Sequence, residues 1–326
     1  MIPNLSLPNH ISLPAGSFQY QLSHLPKSSD PLSPLTPLSS SLPNIASYDP
    51  QRKTHVMSIL NLTPDSFSDG GAHFNIPASQ LAETIRSHIA SGTTILDLGG
   101  QSTRPGAPQV SSSEEMERVI PAIEVIKGIP EAQGVAISVD TYRADVAEAA
   151  VKAGAHIVND VSAGLLDANM LSTVARSGAT VCLMHMRGTP ETMSSLTEYP
   201  EGVVAGVAAE LLDRIKEAEE AGIRRWRIIL DPGIGFAKNQ EQNLELLRGL
   251  DTLRRWPGLE GFPWLIGASR KAFIGRITGV KEARERVWGT AAVVTAAVQG
   301  GADIVRVHDA KEMAQVVKMA DAIWRH

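Results

Sequence analysis

Between residues 55 and 307 the chain repeats one pattern: a short apolar, β-branched run followed by a longer stretch with helical spacing. Eight such runs occur, His55 to Leu60, Thr94 to Leu98, Ala136 to Val139, His156 to Val158, Thr180 to Met184, Arg227 to Leu230, Trp264 to Ile266 and Asp303 to Val307. Strand-length runs that alternate with helix-length segments argue for parallel strands joined by helices. The helical patterns cover Pro77 to Ser91, Ser113 to Lys127, Arg143 to Ala153, Glu201 to Ala221, Gln240 to Leu250, Thr290 to Gln299 and Ala310 to Trp324. Gly92, Gly154, Gly222 and Gly300-Gly301 stand where several of them stop, the ending expected before a chain re-enters its sheet. The expected fold class is therefore α/β, a closed (β/α)8 TIM barrel over 51–326 whose working face lies at the C-terminal strand ends. An open doubly wound sheet is the alternative. It calls for a glycine-rich fingerprint after the first strand, and Asn61-Leu62-Thr63-Pro64 is not one.

Residues 1–50 have a different composition. They hold nine of the 20 prolines and eleven serines, with Lys27 as their one Lys or Arg. Such a stretch cannot offset its own ordering entropy, so it is expected to be a flexible, disordered N-terminal tail or an interdomain linker. It has neither the basic start and apolar block of a secretory signal nor the arginines of a mitochondrial presequence. The expected address is the cytosol, with mitochondrial import as an alternative that the composition does not support.

A formal charge of -5 and a pI near 6.0 give no general attraction to nucleic acid or acidic membranes, so anion binding must be local. No apolar run approaches the roughly 18 residues of a membrane span. The single cysteine, Cys182, excludes an internal disulfide, fits a reducing compartment and reads as a core thiol between Val181 and Leu183.

The residues that close the eight runs are polar in every case. They are Asn61, Asp97 with Gly99-Gly100, Asp140, Asn159-Asp160, Met184-His185-Met186, Asp231, Ser269-Arg270-Lys271, and Arg306 with His308. One such residue is readily a helix cap, but a whole mouth lined this way implies a ligand, because desolvating it otherwise has no return. Asp140, Asn159 and Asp231 suit a flat heterocycle with adjacent N–H donors, since a carboxylate accepts two parallel hydrogen bonds from such an edge. Asn61, Arg104, Lys271, Arg306 and His308 suit an anion. Met184 and Phe236 offer apolar faces for a ring. A ligand with a donor-rich ring at one end and a phosphate at the other satisfies both groups.

Two polar loops follow strands one and two. The first, Asn61 to Gly71, carries Asp65, Asp69 and a Gly-Gly pivot; the second runs from Gly99 to Gly106. A third segment, Asp231-Pro232-Gly233-Ile234-Gly235-Phe236, joins a carboxylate to glycines that permit close backbone approach.

In order along the chain, NLTPDSFSDGG at 61, LDLGGQSTRPGA at 96, SVDT at 138, VNDVS at 158, MHMRG at 184, LDPGIGF at 230, SRK at 269 and RVHD at 306 resemble the dihydropteroate synthase family, in its fungal-like version. The resemblance covers residues 54 to about 322. It implies a homodimeric barrel, related to multifunctional folate-pathway chains, that joins 6-hydroxymethyl-7,8-dihydropterin diphosphate to 4-aminobenzoate and releases pyrophosphate. It also implies residue roles. Asp140, Asn159, Asp231 and Lys271 hold the pterin, with Met184 and Phe236 beside it and Arg306 over its ring. Asn61, Arg306 and His308 hold the diphosphate; Mg2+ bridges it to Asn61, with Asp69 closing over the metal. Phe67, Thr103, Arg104 and Pro105 shape the 4-aminobenzoate pocket, where sulfonamides also bind in that family. Asp140, Asp231, Lys271 and Asn61 carry the chemistry, which is SN1-like because an arylamine is a weak nucleophile.

Gln101 and Ala272 depart from the Glu and Ser common in bacterial members. The rival readings are a methyltetrahydrofolate-corrinoid-type methyltransferase, which handles no diphosphate, and a catalytically silent pterin-binding module.

Overall fold

The computed structural model describes residues 53–63, 77–101, 109–189 and 192–325. Residues 1–50, expected as a tail, lie outside that set. So do Asp65, Phe67, Asp69, Thr103, Arg104 and Pro105.

Eight strands form one all-parallel sheet in the order β6-β5-β4-β3-β2-β1-β8-β7. They are β1 His55–Asn61, β2 Ile95–Gly99, β3 Ala136–Asp140, β4 Ile157–Asp160, β5 Thr180–Met184, β6 Ile228–Asp231, β7 Leu265–Ile266 and β8 Ile304–Val307. A parallel bridge between Leu230 and Trp264 joins β6 to the residue before β7, and the ring closes there. The barrel expected from the repeat pattern is the fold observed.

Ten α-helices occur among the described residues: α1 Ala78–Ala90, α2 Ser112–Lys127, α3 Ala144–Ala153, α4 Met170–Ser177, α5 Val203–Glu220, α6 Gln240–Arg248, α7 Leu250–Arg254, α8 Ala272–Thr278, α9 Val287–Gln299 and α10 Ala310–Trp324. The cap of α2 shows how local sequence sets a boundary: the Ser111 hydroxyl accepts from the Glu114 amide, and Glu114 and Glu115 follow in the first turn. Asn239 and Gln242 form a reciprocal capping box at the start of α6. The ends of the barrel chain meet where Asp321 of α10 accepts from the Thr54 amide at 2.8 Å and its hydroxyl at 2.6 Å.

Inside the ring, Met57, Ile95, Ala136, Ile157, Cys182, Ile229, Leu265 and Ile304 form a fully buried apolar cluster, one residue from each strand. Side chains alternate faces along a strand, so this cluster fixes the phase of every other inward position. Two residues further along each strand the same phase reaches Ile59, Asp97, Ser138, Asn159, Met184, Asp231, Gly267 and Arg306. The floor is apolar and the layer above it is mostly polar. Cys182 belongs to the floor, where burial pushes its thiol well up, so it stays protonated and inert.

Candidate active site

Strand register places the polar residues side by side. Asn61 is level with Gly99, Gly99 with Asp140, and Asp140 with Asn159, while Met184 is level with Asp231 across β5 and β6. Gly99 leaves the row open: a Cβ there would lie 3.6 Å from Asn61 Oδ1 and 3.9 Å from Asp140 Oδ2. Gly267 does the same on the far side, between Asp231 and Arg306.

Arg306 is the hub. Its Nε donates to Asp97 Oδ2 and its Nη2 to Asp140 Oδ2, each at 2.6 Å, and Asn159 Nδ2 donates to the same Asp97 oxygen at 3.2 Å. Burial opposes the guanidinium charge, yet the two carboxylates outweigh it and hold Arg306 firmly protonated. Burial also pushes the Asp140 carboxyl up, with Arg306 pulling against it. Asp97 Oδ1 and Asp140 Oδ1 are both buried and have no hydrogen-bond partner among the described residues. Buried carboxylate oxygens left open in this way are suited to ligand donors.

A second pair stands opposite. Asp231 Oδ1 accepts from the Gly233 amide at 2.7 Å, and burial pushes its carboxyl up while Lys271 pulls it down. Burial lowers Lys271 to about 8, opposed by Asp231. The Lys271 ammonium donates to the Ile234 carbonyl and lies 4.3 Å from the centre of the Phe236 ring. Phe236 packs with Met184, Met186 and Val161, so the two apolar faces expected from the sequence do come together.

The third corner joins β7 to β8. His308 Nδ1 and its backbone amide both meet Ser269 Oγ, at 3.0 and 3.2 Å. Arg270, held at φ 61°, is anchored to Asp309 by a two-pronged ion pair. That anchor fixes the turn from which Lys271 projects.

Several strand-end residues turn out of phase and face away from the lumen. Asp160 accepts from Ser162 and Gly164 and so caps its own turn. His185 bonds to Glu210 and Lys238 behind β5. Gln101, which departs from the Glu of bacterial members, is buried and its side-chain oxygen accepts from the Val110 amide at 2.8 Å, tying together the residues that flank segment 102–108. Ala272 is the first residue of α8.

Asp97 was read only as one of the polar strand ends and given no role at the site, although it links Arg306 to Asn159. The signal that finds it is its phase, two residues beyond the floor residue Ile95. Among the described residues no group of three or more His, Cys, Asp or Glu is arranged to hold a metal ion.

The sequence pattern of the family described as pterin binding enzymes matches residues 57–308. This chain belongs to the pterin binding enzyme family. It is 47% identical over 279 residues to the dihydropteroate synthase of Synechocystis, covering 85% of this chain and 93% of that one. It is 49% identical over 273 residues to the folic acid synthesis protein fol1 of Pneumocystis carinii, covering 83% of this chain and 36% of that one. This family member thus spans about a third of the length of the fungal protein it matches. Among solved structures it is similar to a dihydropteroate synthase of Clostridium difficile crystallised in the presence of pteroic acid, with a TM-score of 0.75, 40% identity, and coverage of 85% of this chain and 98% of that one.

Proposed function

We propose that this barrel condenses 6-hydroxymethyl-7,8-dihydropterin diphosphate with 4-aminobenzoate, giving 7,8-dihydropteroate and pyrophosphate. The observation that carries this reading is the facing of two buried carboxylates, Asp140 and Asp231, across a lumen that also holds Arg306 and Lys271. Asp231 accepts the adjacent N–H groups of the pterin's amino-pyrimidine edge, and Asp140 offers its open oxygen to the same ring system. Asn159 and Lys271 donate to ring acceptors, Met184 and Phe236 cover the ring's apolar face, and Arg306 lies over the ring. Asn61, Arg306 and His308 take the diphosphate. Phe67, Thr103, Arg104 and Pro105 are assigned to 4-aminobenzoate and Asp69 to the metal, all from segments outside the described residues.

The donor set suits a metal that arrives with substrate. Asn61 contributes one hard oxygen at the mouth, and Mg2+ commonly keeps its waters and binds through few protein oxygens plus substrate phosphates. When bound, the ion would neutralise charge on the departing pyrophosphate. The protein's own part is positional and electrostatic. The bond from the pterin methylene to the diphosphate oxygen breaks first, and the pair of electrons leaves with pyrophosphate. Asp140 and Asp231 then face the cation left on the methylene and its conjugated ring. The arylamine nitrogen forms the new bond and sheds its extra proton to water.

Lys271 and Asp231 must both be charged for this grip, which sets a pH dependence. The free-enzyme profile of kcat/KM is expected to fall as pH rises through about 8, as Lys271 loses its proton, and to fall again in acid as Asp231 gains one. Lys271→Arg should push the alkaline limb beyond the accessible range. An unchanged alkaline limb in that variant would assign it to another group.

Three wider assignments go with this reading. Residues 1–50 are assigned as a tail or as a connection to another folate-pathway domain, in keeping with the partial coverage of the fungal relative. The address is the cytosol: no described helix is long and apolar enough to cross a membrane, and the single thiol is buried and free. The protein is a homodimer, supported by the exposed apolar side chains of Ile277, Trp288, Met319, Ile323 and Trp324 on α8, α9 and α10, of which Trp288 is 85% exposed. Sedimentation should show a dimer that Trp288→Asp weakens; a monomer at every concentration would remove this assignment.

The reaction is tested by incubating the protein with the pterin diphosphate, 4-aminobenzoate and Mg2+ and following dihydropteroate by mass spectrometry. The expected result is product that depends on both substrates and disappears with excess chelator. Product made equally well under chelation would rule out the metal's part, and no product with all components present would reject the reaction.

A further inference from the structure

Behind the loop after β6 lies a buried lysine that the reaction as described does not use. Lys238 is 8% exposed, and its Nζ donates to three acceptors: the Phe236 carbonyl at 2.9 Å, the Gly233 carbonyl at 3.1 Å and His185 Nδ1 at 2.9 Å. With Nδ1 accepting, His185 carries its proton on Nε2 and donates it to Glu210 Oε2 at 3.0 Å, and Glu210 is also paired with Arg187. Burial and the neighbouring Lys238 lower His185 to about 4, so the imidazole is neutral and can play both parts at once. Burial pushes Lys238 down to about 7, opposed by Asp231, and its three acceptors match the three protons of the charged form; a lysine buried at that cost needs a task that an apolar side chain could not perform.

That task is visible in what the loop carries. Gly233, at φ 67°, donates its amide to Asp231, and Ile234 supplies the carbonyl that receives Lys271. Phe236 sets the ring beneath the Lys271 ammonium. A Cβ on Gly233 would lie 2.0 Å from the His185 carbonyl oxygen, so the loop is already pressed onto the end of β5. The Gly233 amide, the Ile234 carbonyl and the Phe236 ring all belong to the four residues whose first and last carbonyls Lys238 holds.

Resting on the function proposed above, we propose that Lys238 is a positioning residue for the pterin end of the site. Held from behind by His185 and Glu210, it pins the Gly233 to Phe236 loop so that Asp231 and Lys271 converge on one ligand edge. The Gly233 carbonyl also accepts from the Phe236 amide at 3.0 Å, which closes the turn locally, whereas the link from that turn to the Phe236 carbonyl and to β5 is made by Lys238. The ammonium serves both carbonyls, and its reach through β5 to Glu210 ties the loop to helix α5.

Calorimetric titration with 6-hydroxymethylpterin and, separately, with inorganic pyrophosphate tests this. In Lys238→Met, which keeps the stem and removes the charge, pterin affinity should fall at least tenfold while pyrophosphate affinity stays within twofold. The KM for 4-aminobenzoate should also stay within twofold. Two further variants keep the lysine and decide the matter if Lys238→Met does not fold. His185→Asn retains an acceptor near the Nδ1 position and should bind pterin within twofold of the parent. His185→Gln retains only the donor toward Glu210 and should bind it at least threefold more weakly. Equal pterin affinity across the folded variants, or parallel loss of pterin and pyrophosphate binding, would overturn the proposal. Failure of the parent protein to bind pterin would instead reject the site assignment on which it rests.

Discussion

Arg306→Met should lower stability by about 3–5 kcal/mol and leave little turnover, because it removes the one cation that bonds to both Asp97 and Asp140. The Asp97 side chain is fully buried and that of Asp140 is 7% exposed, so neither carboxylate can recover its lost partner from water. Most of the penalty is the cost of a stranded charge rather than the worth of the pair. The loss should therefore shrink as pH falls, since a buried carboxylate without its cation takes up a proton more readily folded than unfolded, and protonation then favours the folded state. Urea melts of the parent and variant across pH 5 to 8 measure both effects. A variant as stable as the parent at neutral pH would show that the carboxylates are held by something else.

Asp231→Asn isolates the ligand grip from the fold. Its remaining oxygen can still accept from the Gly233 amide, so the loop keeps its anchor. The change then presents an N–H group to the ring donors that the carboxylate would have received. Charge-assisted hydrogen bonds contribute about 1.5–3 kcal/mol, which converts to a drop in kcat/KM for the pterin substrate of roughly ten- to a hundred-fold or slightly more. The KM for 4-aminobenzoate should barely move. Steady-state kinetics with each substrate varied in turn checks this. A loss shared equally between the substrates would place Asp231 away from the pterin.

The fold was legible because parallel strands buried on both faces leave compact apolar runs, and all eight were found to within a residue or two at each end. Three short helices were not. Met170–Ser177, Leu250–Arg254 and Ala272–Thr278 span 8, 5 and 7 residues, too few for a helical period to stand out. The site was legible in kind but not in orientation. Asp140 and Asp160 look alike at a strand end, as do His185 and His308, yet only the inward-phase member of each pair belongs to the lumen. That phase is set by the floor residues, as β3 makes plain: Ala136 lies in the floor cluster, so Ser138 and Asp140 share its face. Asp97 follows the same rule from Ile95. Arg306 grouped with the anion-binding residues by its charge alone, whereas its neighbours in space are two carboxylates. The support behind the site, from Lys238 through His185 to Glu210, joins residues up to 53 positions apart and leaves no local pattern to read.

The central claim is that one ligand is held at both ends in one lumen, and calorimetry with fragments tests it most directly. The parent should bind the pterin diphosphate far more tightly than 6-hydroxymethylpterin or pyrophosphate alone. Asp231→Asn should weaken only the ligands that contain the pterin, and His308→Ala only those that contain the diphosphate. If the joined ligand binds no better than its stronger fragment, or if either substitution weakens both fragments alike, the two ends do not share one site as described.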